Sequence, residues 1–205
     1  MKLKVCGLSS SIEVETCVKN DVDFCGFILN YPKSHRFVSV DKAKKLLETY
    51  KKNSKFVGVL VEPTEKELVN FSKLDLDYFQ LYGDYNVDRL NEIRDKFKKK
   101  IITTIQVKTK NDVNNYKKIE DGSDIILWDS SGYEESLGWN FNWIKHISTK
   151  VEKMIAGNIS INKLEDLIDI ADIVDVSGAL ETNKVKDINK IKNFIAKIKE
   201  VNHEN

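Results

Sequence analysis

Short apolar runs recur along the chain, and longer stretches between them place apolar residues at helical spacing. Eight runs have the length and the β-branched or aromatic content of buried strands. They cover residues 3–6, 24–29, 56–61, 78–81, 101–105, 125–128, 153–156 and 173–176. Strands that alternate with helices predict a parallel sheet with right-handed crossovers.

The stretches between the runs predict amphipathic helices. Examples of the apolar spacing are Leu46, Leu47 and Tyr50, then Leu90, Ile93 and Phe97, and finally Ile188, Ile191, Phe194, Ile195 and Ile198. The last stripe indicates a helix that covers a core, although a membrane-surface or partner-binding helix has the same pattern.

Eight strand and helix units favour a closed barrel over a doubly wound sheet, which needs only about five. No Pro/Gly/Ser-rich linker divides the chain. The prediction is therefore an α/β fold with one domain over residues 1–205, a little-decorated (βα)8 TIM barrel, short for a fold that typically has about 250 residues.

Composition narrows the possible partners. The chain has 33 basic and 32 acidic residues, a net charge of +1, and 41% hydrophobic residues. This hydrophobic content excludes a disordered chain, and the charge balance argues against a nucleic-acid partner. No apolar stretch approaches the roughly 18 to 20 residues that cross a bilayer, so we expect a cytoplasmic protein without a membrane partner. The three cysteines and three histidines lack the spacing of a disulfide scaffold or a metal site.

Cys6 ends the first predicted strand and precedes Gly7. The ends of barrel strands carry the active site, and a nearby helix start lowers the pKa of a thiol. Cys6 is therefore a candidate base or nucleophile, with a buried structural cysteine as the alternative. Cys17 and Cys25 are expected in the core.

Two further residues at or just after strand ends are candidates for binding or catalysis. Arg36 is one of only three arginines among the basic residues and lies in the loop after strand two, where a planar fork suits a carboxylate or a phosphate. Asp129 ends strand six behind apolar residues, and desolvation there would raise its pKa into the range of a general acid. A capping role for Asp129 is the alternative.

Small residues follow strands seven and eight, at Gly157-Asn158 and at Asp175-Val176-Ser177-Gly178. In barrels, the loops after these two strands form the usual phosphate site. Ordinary glycine turns would look the same.

Together, these motifs resemble those of the phosphoribosylanthranilate isomerase family of tryptophan biosynthesis. The matching segments, in order, are Lys4-Val5-Cys6-Gly7-Leu8, Gly26-Phe27-Ile28, Tyr31-Pro32-Lys33-Ser34-His35-Arg36-Phe37-Val38, Val57-Gly58-Val59, Gln80-Leu81-Tyr82-Gly83, Asp129-Ser130, Phe141-Asn142-Trp143, Ala156-Gly157 and Val174-Asp175-Val176-Ser177.

The resemblance implies an Amadori rearrangement of N-(5-phosphoribosyl)anthranilate to the 1-deoxyribulose 5-phosphate, without metal or cofactor. It implies Asp129 as the acid, Cys6 as the base and Arg36 as the ligand of the anthranilate carboxylate. The substrate phosphate would be held by the loops after strands seven and eight. Those loops contribute the expected substrate-binding residues Gly157, Asn158, Asp175, Ser177 and Gly178. A monomer and a homodimer are both open.

The chain departs from the family pattern at several loops. After strand seven, this chain has Gly157-Asn158 where the family usually has two glycines. It has Ser160-Ile161 where the family usually begins the next helix with Asn-Pro. We expect Asn158 to tolerate a positive φ and Ser160 to cap a helix. The remaining departures are Ser177-Gly178-Ala179 for Ser-Ser-Gly, Glu135-Ser136-Leu137-Gly138 for a glycine-rich loop, and Tyr82 for a histidine. A non-catalytic sugar-phosphate-binding barrel and another sugar-phosphate isomerase therefore remain alternatives.

Overall fold

The computed structural model describes residues 1–130 and 137–203, which contain a closed barrel of eight parallel strands. The strands are β1 (Lys2–Cys6), β2 (Phe24–Ile28), β3 (Lys55–Val61), β4 (Tyr78–Tyr82), β5 (Lys100–Val107), β6 (Ile125–Ser130), β7 (Glu152–Ile155) and β8 (Ile173–Val176). Each strand pairs with the next, and β8 closes the barrel on β1, with Leu3 opposite Val174. The predicted (βα)8 barrel and all eight strands are confirmed.

Alternate strand residues point into the barrel and fill its lower part with apolar side chains. This inner cluster consists of Phe24, Val57, Tyr78, Ile102, Ile125, Leu127, Met154, Ala156 and Ile173. Lys4 and Gln80 are fully buried polar residues on β1 and β4. Burying such groups is costly unless they are paired, so their partners are informative.

Helices α1 (Ser11–Lys19), α2 (Val40–Leu47), α3 (Glu65–Ser72) and α4 (Val87–Phe97) follow the first four strands. Side-chain caps set their starts. In α1, for example, the Glu13 carboxylate accepts from the N–H groups of Ser9 and Ser10, at 2.6 and 3.2 Å. The predicted place of Tyr50 on the second helix is wrong, because α2 ends at Leu47 and leaves Tyr50 82% exposed.

The segments after β5 to β7 are less helical than predicted. They contain the 3₁₀ helices Lys110–Lys118, Glu120–Gly122, Phe141–Ile144 and Ile161–Lys163, and only the short α5 (Leu164–Leu167). The stretch 110–118 is rich in Asn and Asp, whose side chains compete for backbone hydrogen bonds, and it buries only Val113. Residues 131–136, which follow β6, lie outside the described residues.

A small hairpin separates β8 from the last helix. The 3₁₀ turn Gly178–Leu180 leads into β9 (Glu181–Thr182), which pairs antiparallel with β10 (Val185–Lys186). The two turn residues, Asn183 and Lys184, both have positive φ (53° and 63°), as a tight two-residue hairpin requires. This pairing sets Glu181 directly opposite Lys186.

The final helix, α6 (Ile188–His203), packs its predicted apolar stripe on the barrel. Ile191, Phe194, Ile195 and Ile198 are buried, and Ile188 is partly buried. Within the described part of the chain, no helix has the length and apolar content to cross a membrane.

Candidate active site

A cavity of about 390 Å³ opens at the carboxyl ends of the strands. All eight residues that the sequence predicts for the site line it, namely Cys6, Arg36, Asp129, Gly157, Asn158, Asp175, Ser177 and Gly178. They come from β1, β6, β8 and three loops, so barrel closure is what assembles them.

Asp129, near the end of β6, accepts hydrogen bonds at both oxygens of its carboxyl group. The Tyr82 hydroxyl donates to Oδ2 at 2.7 Å, and the Ser130 N–H donates to Oδ1 at 2.7 Å. Burial raises the pKa of Asp129 to about 6, although the hydrogen bond from Tyr82 acts to lower it. A carboxyl group with this pKa can donate a proton close to neutral pH.

Cys6 ends β1 with its side chain buried at the cavity floor. Burial raises the pKa of its thiol, and Lys4 acts in the opposite direction. The expectation that a helix start lowers this pKa is wrong. Helix α1 begins at Ser11, and the Glu13 carboxylate accepts from the N–H groups of Ser9 and Ser10, which lie between Cys6 and that helix. Cys17 and Cys25 are buried in the core, as predicted.

Lys4 lies two residues before Cys6 on the same strand and is fully buried. Its ammonium group donates to Asp175 Oδ2 at 2.7 Å. Burial opposes the charge of Lys4, but Asp175 and Cys6 outweigh this effect and raise its pKa, so the lysine stays protonated. Asp175 thus has a buried cationic partner as well as a place in the cavity wall.

Arg36 reaches the cavity from the loop after β2, and Glu181 binds its guanidinium group. Nε donates to Oε1 at 2.6 Å and Nη2 to Oε2 at 3.0 Å. The Arg36 side chain passes directly over Gly7, where an added Cβ would lie 2.5 Å from Arg36 Cδ. One edge of the fork is therefore held by the protein, which orients the rest of the group toward the cavity.

Glu181 also contacts two other basic side chains. Lys186 Nζ lies 2.5 Å from Oε1, and His35 Nε2 lies 3.1 Å from Oε2. Burial by itself would raise the pKa of Glu181, but Arg36 and Lys186 prevail and lower it to about 2. Lys186 donates further to the carbonyl and hydroxyl oxygens of Ser177, both at 3.2 Å, and so ties the hairpin to the loop after β8.

The loop after β7 turns through two residues with positive φ, Gly157 (103°) and Asn158 (52°). The expected positive φ of Asn158 is confirmed. A Cβ at Gly157 would lie 3.0 Å from both the Leu137 carbonyl oxygen and Trp139 Cδ1, so glycine is required there. Ser160 precedes the turn Ile161–Lys163 but its side chain makes no capping hydrogen bond, so that expectation is wrong. Glu135 and Ser136 lie outside the described residues.

The sequence predicted no part in the site for four of its polar residues. They are Lys4, Tyr82, Glu181 and Lys186. Lys4 and Tyr82 could have been predicted, because each is a polar residue at a strand position that faces the barrel interior. Nothing local indicated the pairing of Glu181 with Arg36. In residues 1–130 and 137–203, no group of three or more His, Cys, Asp or Glu side chains is placed to hold a metal ion.

Comparison with known proteins identifies the family. Residues 3–197 match the family model of N-(5'-phosphoribosyl)anthranilate (PRA) isomerase. The PRA isomerase of Listeria innocua serovar 6a is 32% identical over 178 residues, which cover 82% of each chain.

Solved structures agree with this match. The crystal structure of the enzyme from Thermotoga maritima is 25% identical with a TM-score of 0.84, over 98% of this chain and 99% of the other. A second PRA isomerase structure, in complex with reduced 1-(o-carboxyphenylamino)-1-deoxyribulose 5-phosphate, has the same fold at 24% identity and a TM-score of 0.79, over 98% and 99% of the two chains. With strand order, cavity and sequence in agreement, this chain belongs to the N-(5'-phosphoribosyl)anthranilate isomerase family.

Proposed function

We propose that this chain isomerises N-(5'-phosphoribosyl)anthranilate to 1-(2-carboxyphenylamino)-1-deoxyribulose 5-phosphate, with Asp129 as the acid and Cys6 as the base. Membership of the family makes the chain an isomerase of tryptophan biosynthesis. The observation that supports the two roles is the shared cavity, where one carboxyl group with a pKa of about 6 and one thiol come from different strands.

In the proposed mechanism, Asp129 first protonates the ring oxygen of the ribose. The C1–O bond breaks, and the nitrogen lone pair forms the C1=N bond of an open-chain Schiff base. The Cys6 thiolate then removes the proton from C2, and the electrons of that C–H bond form the enolamine. Tautomerisation to the ketone completes the rearrangement. The raised pKa of Asp129 supports its role as the acid. A carboxyl group with an ordinary pKa would be almost fully ionised at neutral pH and would have no proton to donate.

Substrate binding is proposed to use the two ends of the cavity. Arg36 would bind the anthranilate carboxylate through the part of its fork that Glu181 leaves open. Backbone N–H groups of Gly157, Asn158, Ser177 and Gly178 would hold the phosphate, whereas the Ser177 hydroxyl donates to the Cys6 carbonyl oxygen at 2.9 Å. The product-like ligand in the related solved structure carries both a carboxyl and a phosphate group, which supports a site with two anion-binding ends.

The test is the decrease of substrate fluorescence catalysed by the purified protein and by Cys6→Ser and Asp129→Asn. We expect turnover by the native protein and a loss of at least about a hundredfold in each variant, as is usual for an acid or base. Asp121→Asn, an exposed carboxylate that pairs with Lys150, is the matched control and should be unaffected.

A native protein that binds the reduced product analogue in calorimetry without turning over substrate would instead be a non-catalytic binding barrel. Near-native rates in either variant would remove that residue from the mechanism. We further propose a cytoplasmic protein that is a monomer or a homodimer, which cell fractionation and sedimentation equilibrium would test.

A further inference from the structure

In the proposed mechanism Cys6 must act as a thiolate, although its side chain is buried. Burial raises the pKa of the Cys6 thiol, which leaves little thiolate at neutral pH. A buried thiolate also needs a counter-charge, since an uncompensated anion in the interior is costly.

Lys4 is placed to supply that charge. Its side chain is 0% exposed, and its ammonium group and the Cys6 sulfur lie next to one glycine. A Cβ on Gly26 would meet Cys6 Sγ at 2.9 Å and Lys4 Nζ at 3.1 Å. The two atoms therefore lie within about 6 Å of each other, the range in which an opposite charge stabilises an ionised group.

We infer that Lys4 is a positioning residue whose buried ammonium group stabilises the Cys6 thiolate, with Asp175 as the second anion that keeps this lysine charged and in place. The inference rests on the proposed function only in that it makes Cys6 the base. It assigns to a barrel-interior lysine a part in catalysis without contact to the substrate.

The surroundings of Cys6 make Lys4 the main candidate for this role. The charged or titratable groups that face the sulfur or share its cavity are Lys4, Tyr31, Arg36, Tyr82, Asp129, Asp175 and Lys186. Lys186 is the other lysine that favours the thiolate, but its own ammonium group is bound by Glu181 at 2.5 Å and its effect on Cys6 is smaller. Arg36 is held by the same Glu181 carboxylate. Asp175 disfavours a second anion, so it opposes the effect of Lys4 on Cys6.

The experiment is the pH dependence of alkylation of Cys6 by iodoacetamide, whose midpoint reports thiolate formation without any turnover. Cys17 and Cys25 are fully buried, and Cys6→Ser identifies the reacting thiol by removing the signal. We expect Lys4→Met to raise the midpoint by about one to two units, and Asp175→Asn to lower it. Lys100→Met, an exposed lysine at the opposite end of the barrel, should leave the midpoint unchanged.

The opposite signs distinguish an electrostatic role from a structural one, because general loosening of the site would move both variants in one direction. If Lys4→Met alone fails to fold, Lys4→Met with Asp175→Asn leaves no unpaired buried charge, and its midpoint should lie above that of Asp175→Asn. The inference is overturned if removing Lys4 leaves the midpoint in place or lowers it, in either background. Turnover assayed in parallel separates the two questions, since an inactive native protein counts against the proposed function while the alkylation result on Lys4 stands.

Discussion

The Tyr82 hydroxyl donates a hydrogen bond of 2.7 Å to the Oδ2 atom of Asp129. By the resemblance in sequence, Tyr82 occupies the place of a histidine in the family pattern. Burial raises the pKa of Tyr82 well above 10, so the phenol remains a neutral donor throughout the working pH range. A histidine could become cationic and would then stabilise the ionised carboxylate more strongly. The tyrosine therefore orients the acid without forcing it to ionise.

Tyr82→Phe should raise the pKa of Asp129, because it removes a donor to the ionised carboxylate. The loss of activity on the alkaline side of the kcat/KM profile should then move to higher pH, by about one unit. Tyr78→Phe is the matched control, since Tyr78 lies on the same strand at the barrel's apolar base. An alkaline limb that stays in place, or moves to lower pH, would contradict this account of Tyr82.

Asp129→Asn should remove activity and stabilise the fold above pH 6. The folded-state pKa of Asp129 is raised from 3.8 to about 6, so its contribution to stability is complete below pH 3.8 and is lost as the pH rises through 6. The asparagine keeps an oxygen that can accept from Tyr82 but carries no charge. Part of the carboxyl group faces the open cavity, so we expect a gain of only about 1–2 kcal/mol in the free energy of unfolding at pH 8.

Urea unfolding of the native protein and of Asp129→Asn at pH 4 and pH 8 measures this difference. The gain should be present at pH 8 and largely absent at pH 4. If the native protein and Asp129→Asn had equal free energies of unfolding at pH 8 as well as at pH 4, Asp129 would ionise in the folded state without cost.

Glu181→Gln should weaken substrate binding more than turnover. The substitution removes the anion that holds Arg36 and Lys186, but Glu181 contacts neither Cys6 nor Asp129 through any hydrogen bond of the described residues. We expect KM to rise by about tenfold or more, about 1.4 kcal/mol of binding, with a smaller change in kcat. Glu152→Gln, at a half-buried partner of Lys2 outside the cavity, is the control.

The same variant should lose stability at neutral pH. The pKa of Glu181 is lowered from 4.5 to about 2, so its contribution is complete above pH 4.5 and is lost as the pH falls through 2. Glu181→Gln should lower the free energy of unfolding by about 3 kcal/mol at pH 7, and by progressively less below pH 4.5. A pH-independent difference would indicate that packing rather than charge stabilises the Glu181 cluster.

Gly157→Ala should impair the proposed phosphate loop. An alanine at φ 103° is strained, and its Cβ would meet the Leu137 carbonyl oxygen at 3.0 Å. Displacing this turn moves the N–H groups of Gly157 and Asn158, so KM should rise by about tenfold or more. Gly138→Ala is a matched control in the adjacent loop, because its added Cβ has no neighbour closer than 3.9 Å. Similar kinetic constants for the two alanine variants would argue against phosphate binding at Gly157.

Some of the site was predictable from the chain because its signals are local. Cys6 and Asp129 were recognisable from apolar strands that end in a reactive side chain, and Asn158 from a residue type that tolerates the turn. The three segments after β5 to β7 were mispredicted as regular helices, because the periodic pattern there is short and Asn and Asp favour tighter turns.

The sequence by itself determined the eight strands, their order and the end of the barrel at which the cavity opens, since strand periodicity depends only on neighbouring residues. Only the tertiary structure decided which charges meet. Lys4 pairs with Asp175 across 171 residues, and Arg36 with Glu181 across 145. Both contacts exist because β8 closes on β1, and a strand's own sequence does not specify the side chains that barrel closure brings next to it.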